Sequence, residues 1–263
     1  MEALSYFLLG LVQGLTEFLP VSSSGHLVLG QTILGLEEED LSFSVLVHAA
    51  TALSTLVVFR KDIGSLFRDV FRKDDAGSEA RKYGWLLVCS AIPAAIVGLG
   101  FKDAIETSAT PRFVGAMLCV TAGILFLSLL KAKGSNQLNT GRALGIGLAQ
   151  ACAILPGISR SGSTICVALI LGISREAAAK FSFLMALIPI VGATILTLNE
   201  LLSQPGHVDT WNGPWMGYAV GTAAAFVSGW AACTWMIRLV KCSNLAGFGA
   251  YCLTAGILAL VLG

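Results

Sequence analysis

The sequence predicts an all-α integral membrane protein, with six transmembrane helices plus two re-entrant helical hairpins in an inverted-topology repeat. Three observations favour this fold class: a high apolar content, apolar segments long enough to cross a bilayer, and a polar motif that occurs twice. We expect a single membrane domain over residues 1–263, with one repeat over about 1–130 and the other over about 140–263.

The composition separates this chain from soluble proteins. Hydrophobic residues make up 55% of its 263 residues and charged residues 13%, whereas soluble domains carry about 25% charged residues. A soluble protein with an apolar core is excluded, because several segments run for the thickness of a bilayer without a charge. The six predicted spans are 41–59, 83–100, 113–130, 181–199, 215–237 and 244–263.

Four further apolar segments are shorter than the roughly 17 residues that a spanning helix needs. They lie near 3–16, 27–36, 143–155 and 164–173. Because they pair around polar loops, they predict two re-entrant hairpins, over about 3–36 and 143–173. We expect no cleavable signal peptide, since Glu2 stands in place of a basic region.

The positive charges orient the chain in the membrane. Fourteen of the 17 Lys and Arg residues fall in loops that alternating spans place on one face, and the positive-inside rule makes that face cytoplasmic. The acidic turn 37–40 and the loop 201–214, which contains no Lys or Arg, are then external. The basic loop 60–82 also carries acidic residues, so nucleic-acid binding is not expected. The fourteen are Arg60, Lys61, Arg68, Arg72, Lys73, Arg81, Lys82, Lys131, Lys133, Arg142, Arg175, Lys180, Arg238 and Lys241.

A shift of 137 positions superposes the first predicted hairpin on the second. Chance similarity between apolar segments does not readily reproduce a Ser-x-Ser-Gly element after the same Gln. Pro20 and Pro156 are one residue out of step, so the two loops differ in detail. The recurring residues are Gly10, Leu11, Gln13, Ser22, Ser24, Gly25, Ile33, Leu34 and Gly35 in the first hairpin.

The predicted topology makes this repeat inverted, because the first hairpin enters from outside and the second from the cytoplasm. Inverted repeats with broken helices place a binding site near the bilayer midplane. Each loop puts Ser and Gly immediately before an apolar helix, in "SSSGH" and in "SRSGST". Helix N-termini bind anions, so two of them facing each other predict a phosphate-sized pocket of positive potential.

Glu17 and Arg160 are the two charges predicted to lie deep in membrane-embedded segments. An unpaired charge there costs at least a few kcal/mol. One interpretation is a structural ion pair that joins the two hairpins. The other is that both charges serve a polar ligand, with the Arg160 guanidinium binding phosphate oxygens, and the surrounding hydroxyls favour this interpretation.

Gln13 and Glu17 are four residues apart, so a helix directs both oxygens into one cavity. A carboxylate and an amide oxygen suit a divalent cation, Mg²⁺ or Ca²⁺, that takes its other ligands from water and substrate phosphate. His26 is a candidate general acid or base, or simply a helix cap. A serine among residues 22–24, activated by His26 or Glu17, is a candidate nucleophile.

The remaining polar candidates are weaker. Ser161 and Thr164 are expected to donate hydrogen bonds to phosphate oxygens. His48 lies within a predicted span and is expected to hydrogen-bond a neighbouring helix rather than to act in catalysis. His207, in the external loop, is expected to meet water. The seven cysteines lie mostly in apolar segments without a C-x-x-C pair, which predicts buried apolar residues.

The stretches "QGLTEFLPVSSSGH" and "LPGISRSGST" resemble the two signature motifs of the bacitracin-resistance family of undecaprenyl-diphosphate phosphatases. The resemblance covers essentially the whole chain, and the two motifs together are highly specific. It implies a hydrolase that needs a divalent cation, with its active site opening toward the outer face of the bacterial cytoplasmic (inner) membrane. The implied product, polyprenyl phosphate, is the carrier lipid for cell-wall glycans.

The resemblance also implies roles for the motif residues. Gln13 and Glu17 form the acidic motif, in which Gln13 leaves a single carboxylate, while Ser23 and His26 belong to the catalytic loop and Ser159, Arg160 and Thr164 hold the diphosphate. The predicted catalytic residues are therefore Glu17, Ser23, His26 and Arg160. With the N-cap argument added, the predicted substrate-binding residues are Ser22, Ser24, Gly25, Ser159, Ser161, Gly162 and Thr164. The attacking atom stays open among a serine hydroxyl, His26 and a water.

Two functional classes fit these motifs. The leading prediction is a diphosphatase, and the alternative is a secondary transporter or lipid flippase, because transporters also use inverted repeats with broken helices. A nucleophile beside proton-transfer groups, Ser23 with His26 and Glu17, favours the enzyme. The expected partners are a polyprenyl diphosphate and membrane lipids, with a homodimer as an open alternative.

Overall fold

A computed structural model describes residues 2–34, 41–129, 134, 136–203, 214–242 and 245–263. These described residues form twelve α-helices and no β-strand. The all-helical prediction is therefore confirmed. The helices are α1 Glu2–Phe18, α2 Ser23–Leu34, α3 Leu41–Val58, α4 Arg60–Val70, α5 Asp75–Gly100, α6 Lys102–Thr107, α7 Pro111–Leu127, α8 Thr140–Cys152, α9 Arg160–Ile170, α10 Arg175–Ser203, α11 Trp215–Cys242 and α12 Ala246–Leu262.

Three helices in the described part of the chain are long and apolar enough to cross a membrane, namely Asp75–Gly100, Arg175–Asn199 and Trp215–Cys242. A fourth span results if Ser42–Val58 and Arg60–Val70, which meet at 72°, count as one bent span. The outward side chains of these helices are apolar, as on α5, where Ile96 is 65% exposed and Leu99 is 68% exposed. Such surfaces are expected of helices that contact lipid.

The basic segment 60–82, expected as a loop, is mostly helical, and that expectation is wrong. Helix α5 begins within this segment, at Asp75. The Asp74 side chain caps the helix by accepting a hydrogen bond from the Gly77 N–H at 3.1 Å. Hydrogen bonds from the Arg72 guanidinium and from Gly77 lower the pKa of Asp74. Arg81 donates to the carbonyl oxygens of Val70, at 2.9 Å, and Arg72, at 2.7 Å, and so satisfies the end of α4.

The first hairpin lies against α11. Helix α1 runs beside α11 in the same direction, with Tyr6 level with Tyr218 and the Phe18 ring beside Gly229, near the middle of α11. Helix α2 then folds back along α1, so that Gly30 lies beside Leu9. The chain therefore reverses halfway along a membrane-length helix.

The second hairpin lies against α5 in a matching way. Helix α8 runs beside α5, with Gly147 against Ser90 and the Ile154 side chain 3.7 Å from a Cβ atom placed at Gly98. Helix α9 then returns toward the start of α8, where the Asn136 N–H donates to the Gly172 carbonyl at 2.9 Å.

Ion pairs among helix ends bring the start of α4, the start of α10 and the end of α11 together, and these segments form a basic face. Lys180 of α10 forms an ion pair with Asp62 of α4. Lys241 at the end of α11 pairs with Glu176 of α10 at 2.7 Å. Several sequence expectations lie outside the described residues: the turn 37–40, Lys131, Lys133 and the segment 204–213 with His207.

All seven cysteines are free thiols, and four of them are buried. Cys166, Cys233 and Cys252 lie in the apolar core. Their interpretation as buried apolar residues holds for these positions, while Cys152 and Cys242 are exposed.

The approach of α1 to α11 yields a stability prediction. A Cβ atom at Gly10 would overlap the Gly221 carbonyl oxygen, and one at Gly14 would overlap the Ser228 hydroxyl, so small residues set the spacing of the helices. We expect Gly10→Ala to destabilise the protein by ~1–3 kcal/mol, because backbone must move. The measurement is the thermal midpoint in detergent.

The matched control is Gly123→Ala in α7, where a Cβ atom would meet no other atom within 4 Å. Its thermal midpoint should be no lower than that of the unsubstituted protein, because Ala favours the helix. Equal midpoints for both variants would contradict the close-packing account of the α1–α11 pair.

Candidate active site

The tips of the two hairpins meet. The Ser161 hydroxyl of the second hairpin donates to the Leu19 carbonyl of the first at 3.1 Å. A Cβ atom at Gly25 would lie 3.0 Å from Gly157, so glycine allows the two backbones to touch. Residues from positions more than a hundred apart in the sequence therefore form one site.

The hydrogen bonds at the two tips recur with the same 137-residue shift as the sequence motif. Each tip carries a serine N-cap whose hydroxyl accepts from a glycine N–H three residues on and lies near a second serine hydroxyl. In the first tip these are Gly25 N to Ser22 Oγ, 3.3 Å, and Ser22 Oγ to Ser24 Oγ, 3.4 Å. In the second they are Gly162 N to Ser159 Oγ, 3.1 Å, and Ser159 Oγ to Ser161 Oγ, 3.4 Å.

Both tips use left-handed backbone. Ser22 has a positive φ of 71°, which is rare for a residue with a side chain. Gly157 has a φ of 99°, and a Cβ atom there would lie 2.6 Å from both the Met117 Cβ atom and the Val114 carbonyl oxygen. Such conformations persist where surrounding packing imposes them, and they are common at functional sites.

Glu17 is the centre of a buried polar cluster. Its side chain is 4% exposed and accepts hydrogen bonds from the Ser23 hydroxyl at 2.6 Å and from the Gln13 amide at 3.1 Å. Arg160 completes the cluster with an ion pair across the two hairpins. The structure thus brings together four predicted site residues, Gln13, Glu17, Ser23 and Arg160.

Arg160 is only partly used by the protein. One of its five N–H donors bonds Glu17, and its other donors have no acceptor among the residues that the structure describes. Its side chain is 21% exposed, against 4% for Glu17. The guanidinium therefore ties the hairpins together and still presents free donors to an anion.

His26 is held by two hydrogen bonds. Its Nδ1 lies 2.8 Å from the Ser22 carbonyl oxygen, and its Nε2 lies 2.7 Å from the Tyr251 hydroxyl of α12. Because a carbonyl only accepts, Nδ1 carries the proton, and Nε2 of a neutral ring accepts from Tyr251. Of the two groups predicted to activate a serine, Glu17 rather than His26 is the one bonded to Ser23.

His48 of α3 bonds the Ser44 carbonyl of its own helix at 2.8 Å, so the expected hydrogen bond to a neighbouring helix is not the one it forms. The imidazole lies close enough to Glu17 to interact with it electrostatically. His48 is therefore nearer to the polar cluster than its position within an apolar span suggested.

The second-hairpin hydroxyls are buried. Ser159 is 1% exposed, Ser161 4% and Thr164 0%. Thr164 Oγ1 lies 2.5 Å from the Ser182 hydroxyl and also donates to the Arg160 carbonyl at 2.8 Å. These side chains fix the backbone around Arg160, while Ser23, Ser24 and His26 remain partly exposed.

The residues present fit a hydrated divalent cation. Gln13 Oε1 is buried without a hydrogen-bond partner in the described part of the chain, and the Glu17 carboxylate lies one helical turn away. Within the described residues no group of three His, Cys, Asp or Glu side chains could hold a metal. An ion here would take most of its ligands from water and phosphate, as Mg²⁺ does.

Two residues of the site were not predicted. Thr121 of α7 donates to the Gly157 carbonyl at 2.8 Å and accepts from the Ser159 N–H at 3.0 Å. Tyr251 holds His26. Both lie in apolar helices outside the two motifs, where Thr121 is buried and Tyr251 is exposed. The signal that the sequence offers for them is a polar side chain within an apolar segment.

The Thr121 bridge yields a second prediction. Thr121→Val keeps the shape of the side chain and leaves a buried N–H and a buried C=O of the second tip without partners, each a loss of about 1–3 kcal/mol. We expect a lower thermal midpoint in detergent. Thr121→Ser, which retains the hydroxyl, is the control, and a Thr121→Ser midpoint as low as that of Thr121→Val would refute the bridge.

The chain was compared with known proteins. It matches the family described as "Bacitracin resistance protein BacA" over residues 6–258. A protein named "Undecaprenyl-diphosphatase" from Bacteroides fragilis is 44% identical over 266 residues, covering 100% of this chain and 98% of the relative. One of the same name from Parabacteroides distasonis is 45% identical over 257 residues, covering 96% and 95%.

A more distant relative, "Undecaprenyl-diphosphatase 1" from Bacillus cereus, is 38% identical over 266 residues, covering 98% of this chain and 97% of the relative. The match extends over both hairpins and the helices that support them. By sequence, this chain belongs to the BacA bacitracin-resistance family.

Proposed function

We propose that the protein hydrolyses undecaprenyl diphosphate, or a related polyprenyl diphosphate, to polyprenyl phosphate and inorganic phosphate. The observation that carries the proposal is the hydrogen bond that the Ser23 hydroxyl donates to the Glu17 carboxylate, at 2.6 Å, beside Arg160, which has free donors. The names of the relatives support the same substrate. Recycling of this carrier lipid would supply cell-wall synthesis and give bacitracin resistance.

Substrate binding uses the free donors of Arg160 and the helix N-termini. The first-turn N–H groups of α2 and α9 have no helical acceptors, and the two N-termini lie at the hairpin tips. Together they neutralise the diphosphate oxygens and stabilise the charge that develops on the leaving group. The surrounding helices expose apolar side chains, so the polyprenyl chain can stay in the lipid while its diphosphate occupies the site.

The reaction starts when Arg160 exchanges Glu17 for a phosphate oxygen. The freed carboxylate accepts the Ser23 proton, and Ser23 Oγ attacks the terminal phosphorus. The bond between that phosphorus and the bridging oxygen breaks, and polyprenyl phosphate leaves with the bond electrons. Water then attacks the phosphoserine and passes one proton to His26 Nε2, while Ser23 Oγ leaves the phosphorus, takes back the proton held by Glu17 and frees inorganic phosphate.

Gln13 Oε1 and Glu17 would hold a divalent cation, Mg²⁺ or Ca²⁺, in this site. When bound, the ion supplies positive charge to the phosphate oxygens and lowers the barrier electrostatically. The orphaned Gln13 oxygen supports this assignment.

The transporter alternative is weaker than the enzyme. Anion transport has use for Arg160 and for the helix N-termini, but it gives no role to a serine hydroxyl bonded to a carboxylate. That contact is present at the point where the two tips meet. We therefore treat lipid translocation as the alternative outcome of the test below.

We infer six membrane crossings, by α3, α5, α7, α10, α11 and α12, and two re-entrant hairpins, α1–α2 and α8–α9. The supporting observation is the direction of the helices. Helix α1 runs parallel to α11, which ends at the basic face, whereas α8 runs parallel to α5, which starts at that face. The hairpins therefore enter from opposite faces, as repeats over about 1–130 and 140–263 require.

The same reasoning gives the location. With the basic face in the cytoplasm, the first hairpin enters from the outer side of the bacterial inner membrane, and the site at its tip opens toward that side. The homodimer stays a prediction, which light scattering of the purified protein checks.

The function is tested with purified protein in detergent, Mg²⁺ and a polyprenyl diphosphate. We expect one inorganic phosphate per substrate cleaved, and loss of release in excess chelator. Uptake of the lipid into vesicles without phosphate release would instead identify a transporter.

The charge pair yields a third prediction. Glu17→Gln removes the proton acceptor, and Arg160→Lys removes the planar donor fork, so each should lower kcat at least ~100-fold. Glu176→Gln, which breaks the exposed ion pair with Lys241, is the control and should leave the rate unchanged. Rates near those of the unsubstituted protein in both site variants would refute the assignment.

Tyr251 yields a fourth prediction. Tyr251→Phe keeps the ring and removes the hydrogen bond to His26, so kcat should fall about 10-fold, the equivalent of ~1.4 kcal/mol, with KM nearly unchanged. In a His26→Gln background the same substitution should add no further loss. Tyr83→Phe, on α5 near the basic face, is the control, and independent effects of the Tyr251 and His26 substitutions would contradict the positioning role.

A further inference from the structure

Helix α4 is an arm fixed at the basic face of the protein. It leaves α3 at 72°, so it lies near the plane of the membrane if α3 crosses the bilayer. The ion pair between Asp62 and Lys180 fixes its start, and the Arg81 hydrogen bonds fix its end.

One edge of this arm is aromatic and exposed. Phe67 and Phe71 are four residues apart and so lie on the same side of the helix. They are 68% and 83% exposed. In water, two adjacent phenyl rings so exposed would be an unfavourable apolar surface, whereas the boundary of a bilayer accommodates them.

The neighbouring edge is basic. Lys61 and Arg68 are seven residues apart, about two helical turns, which places them along one line about 100° from the phenyl rings. Both are exposed. Arg72 pairs with Asp74 and Asp69, whereas Lys61 and Arg68 have no acidic partner among the described residues.

Both acidic residues of α4 are paired with cations. Asp62 faces α10, where Lys180 neutralises it, and Asp69 is engaged by Arg72 at 3.5 Å. The α4 arm therefore presents an apolar strip and a positive strip side by side, with both of its negative charges paired.

We propose that the α4 arm, through Lys61, Phe67, Arg68 and Phe71, binds the headgroups of anionic phospholipids in the leaflet at the basic face. The phenyl rings enter the acyl boundary, and the cations meet the lipid phosphates. A nucleic acid would use the cations but would leave the two rings in water. This surface lies on a different part of the protein from the hairpin tips and does not depend on the reaction proposed there.

The test measures lipid binding by native mass spectrometry of the full chain, titrated with phosphatidylglycerol or phosphatidylcholine. We expect the first phosphatidylglycerol to bind at least 5-fold more tightly than phosphatidylcholine. Lys61→Gln with Arg68→Gln should abolish most of this preference, and Phe67→Ser with Phe71→Ser should weaken binding of both lipids.

The matched control is Lys82→Gln with Arg238→Gln, which removes two exposed charges from the same face outside α4 and should retain the preference. Raising NaCl to about 0.5 M screens charges within a few ångströms and should reduce the preference of the unsubstituted protein. This arm of the test does not depend on the folding of any variant. No preference for phosphatidylglycerol, an equal loss in the control, or binding of a DNA oligonucleotide in its place would overturn the proposal.

Discussion

The ion pair between Glu17 and Arg160 is the interaction on which the rest of the site depends. Each charge alone would be expensive to bury where the hairpins turn, so each stabilises the other. The pair forms because both hairpins stop at the same level and glycines let their tips touch, as at Gly25 and Gly157. Three features place the two side chains within hydrogen-bond distance of each other: the lengths of the hairpins, the small residues against α11 and α5, and the Thr121 bridge.

The same geometry divides the work between the two repeats. The first tip carries Glu17 at the end of α1 and both Ser23 and His26 in the first turn of α2, while the second carries the Arg160 guanidinium at the start of α9. Their capping hydrogen bonds are alike, but the position that is Glu17 in the first repeat is Ile154 in the second. A common backbone thus carries different chemistry in each half, and neither half has a complete site.

Much of this site could be predicted from the sequence, because the relevant constraints are local or concern charge. Two lone charges in apolar segments must find each other, and the i, i+4 spacing of Gln13 and Glu17 places both on one helix face, where they are hydrogen-bonded. Thr121 and Tyr251 escaped prediction since their partners lie on distant helices and periodicity does not encode which helices pack together. Helix α4 was missed because its high charge masked a regular amphipathic pattern.

The separation of Glu17 and Arg160 along the chain, 143 residues, has a consequence for biogenesis. At a synthesis rate of about 5–20 residues per second, the acid leaves the ribosome roughly 7–30 s before its partner. During that interval the first hairpin has no arginine to neutralise it, so the nascent protein must keep Glu17 hydrated or protonated. In the topology proposed above, stable insertion of the amino-terminal hairpin is then a late event in translation, completed once the second hairpin has been made.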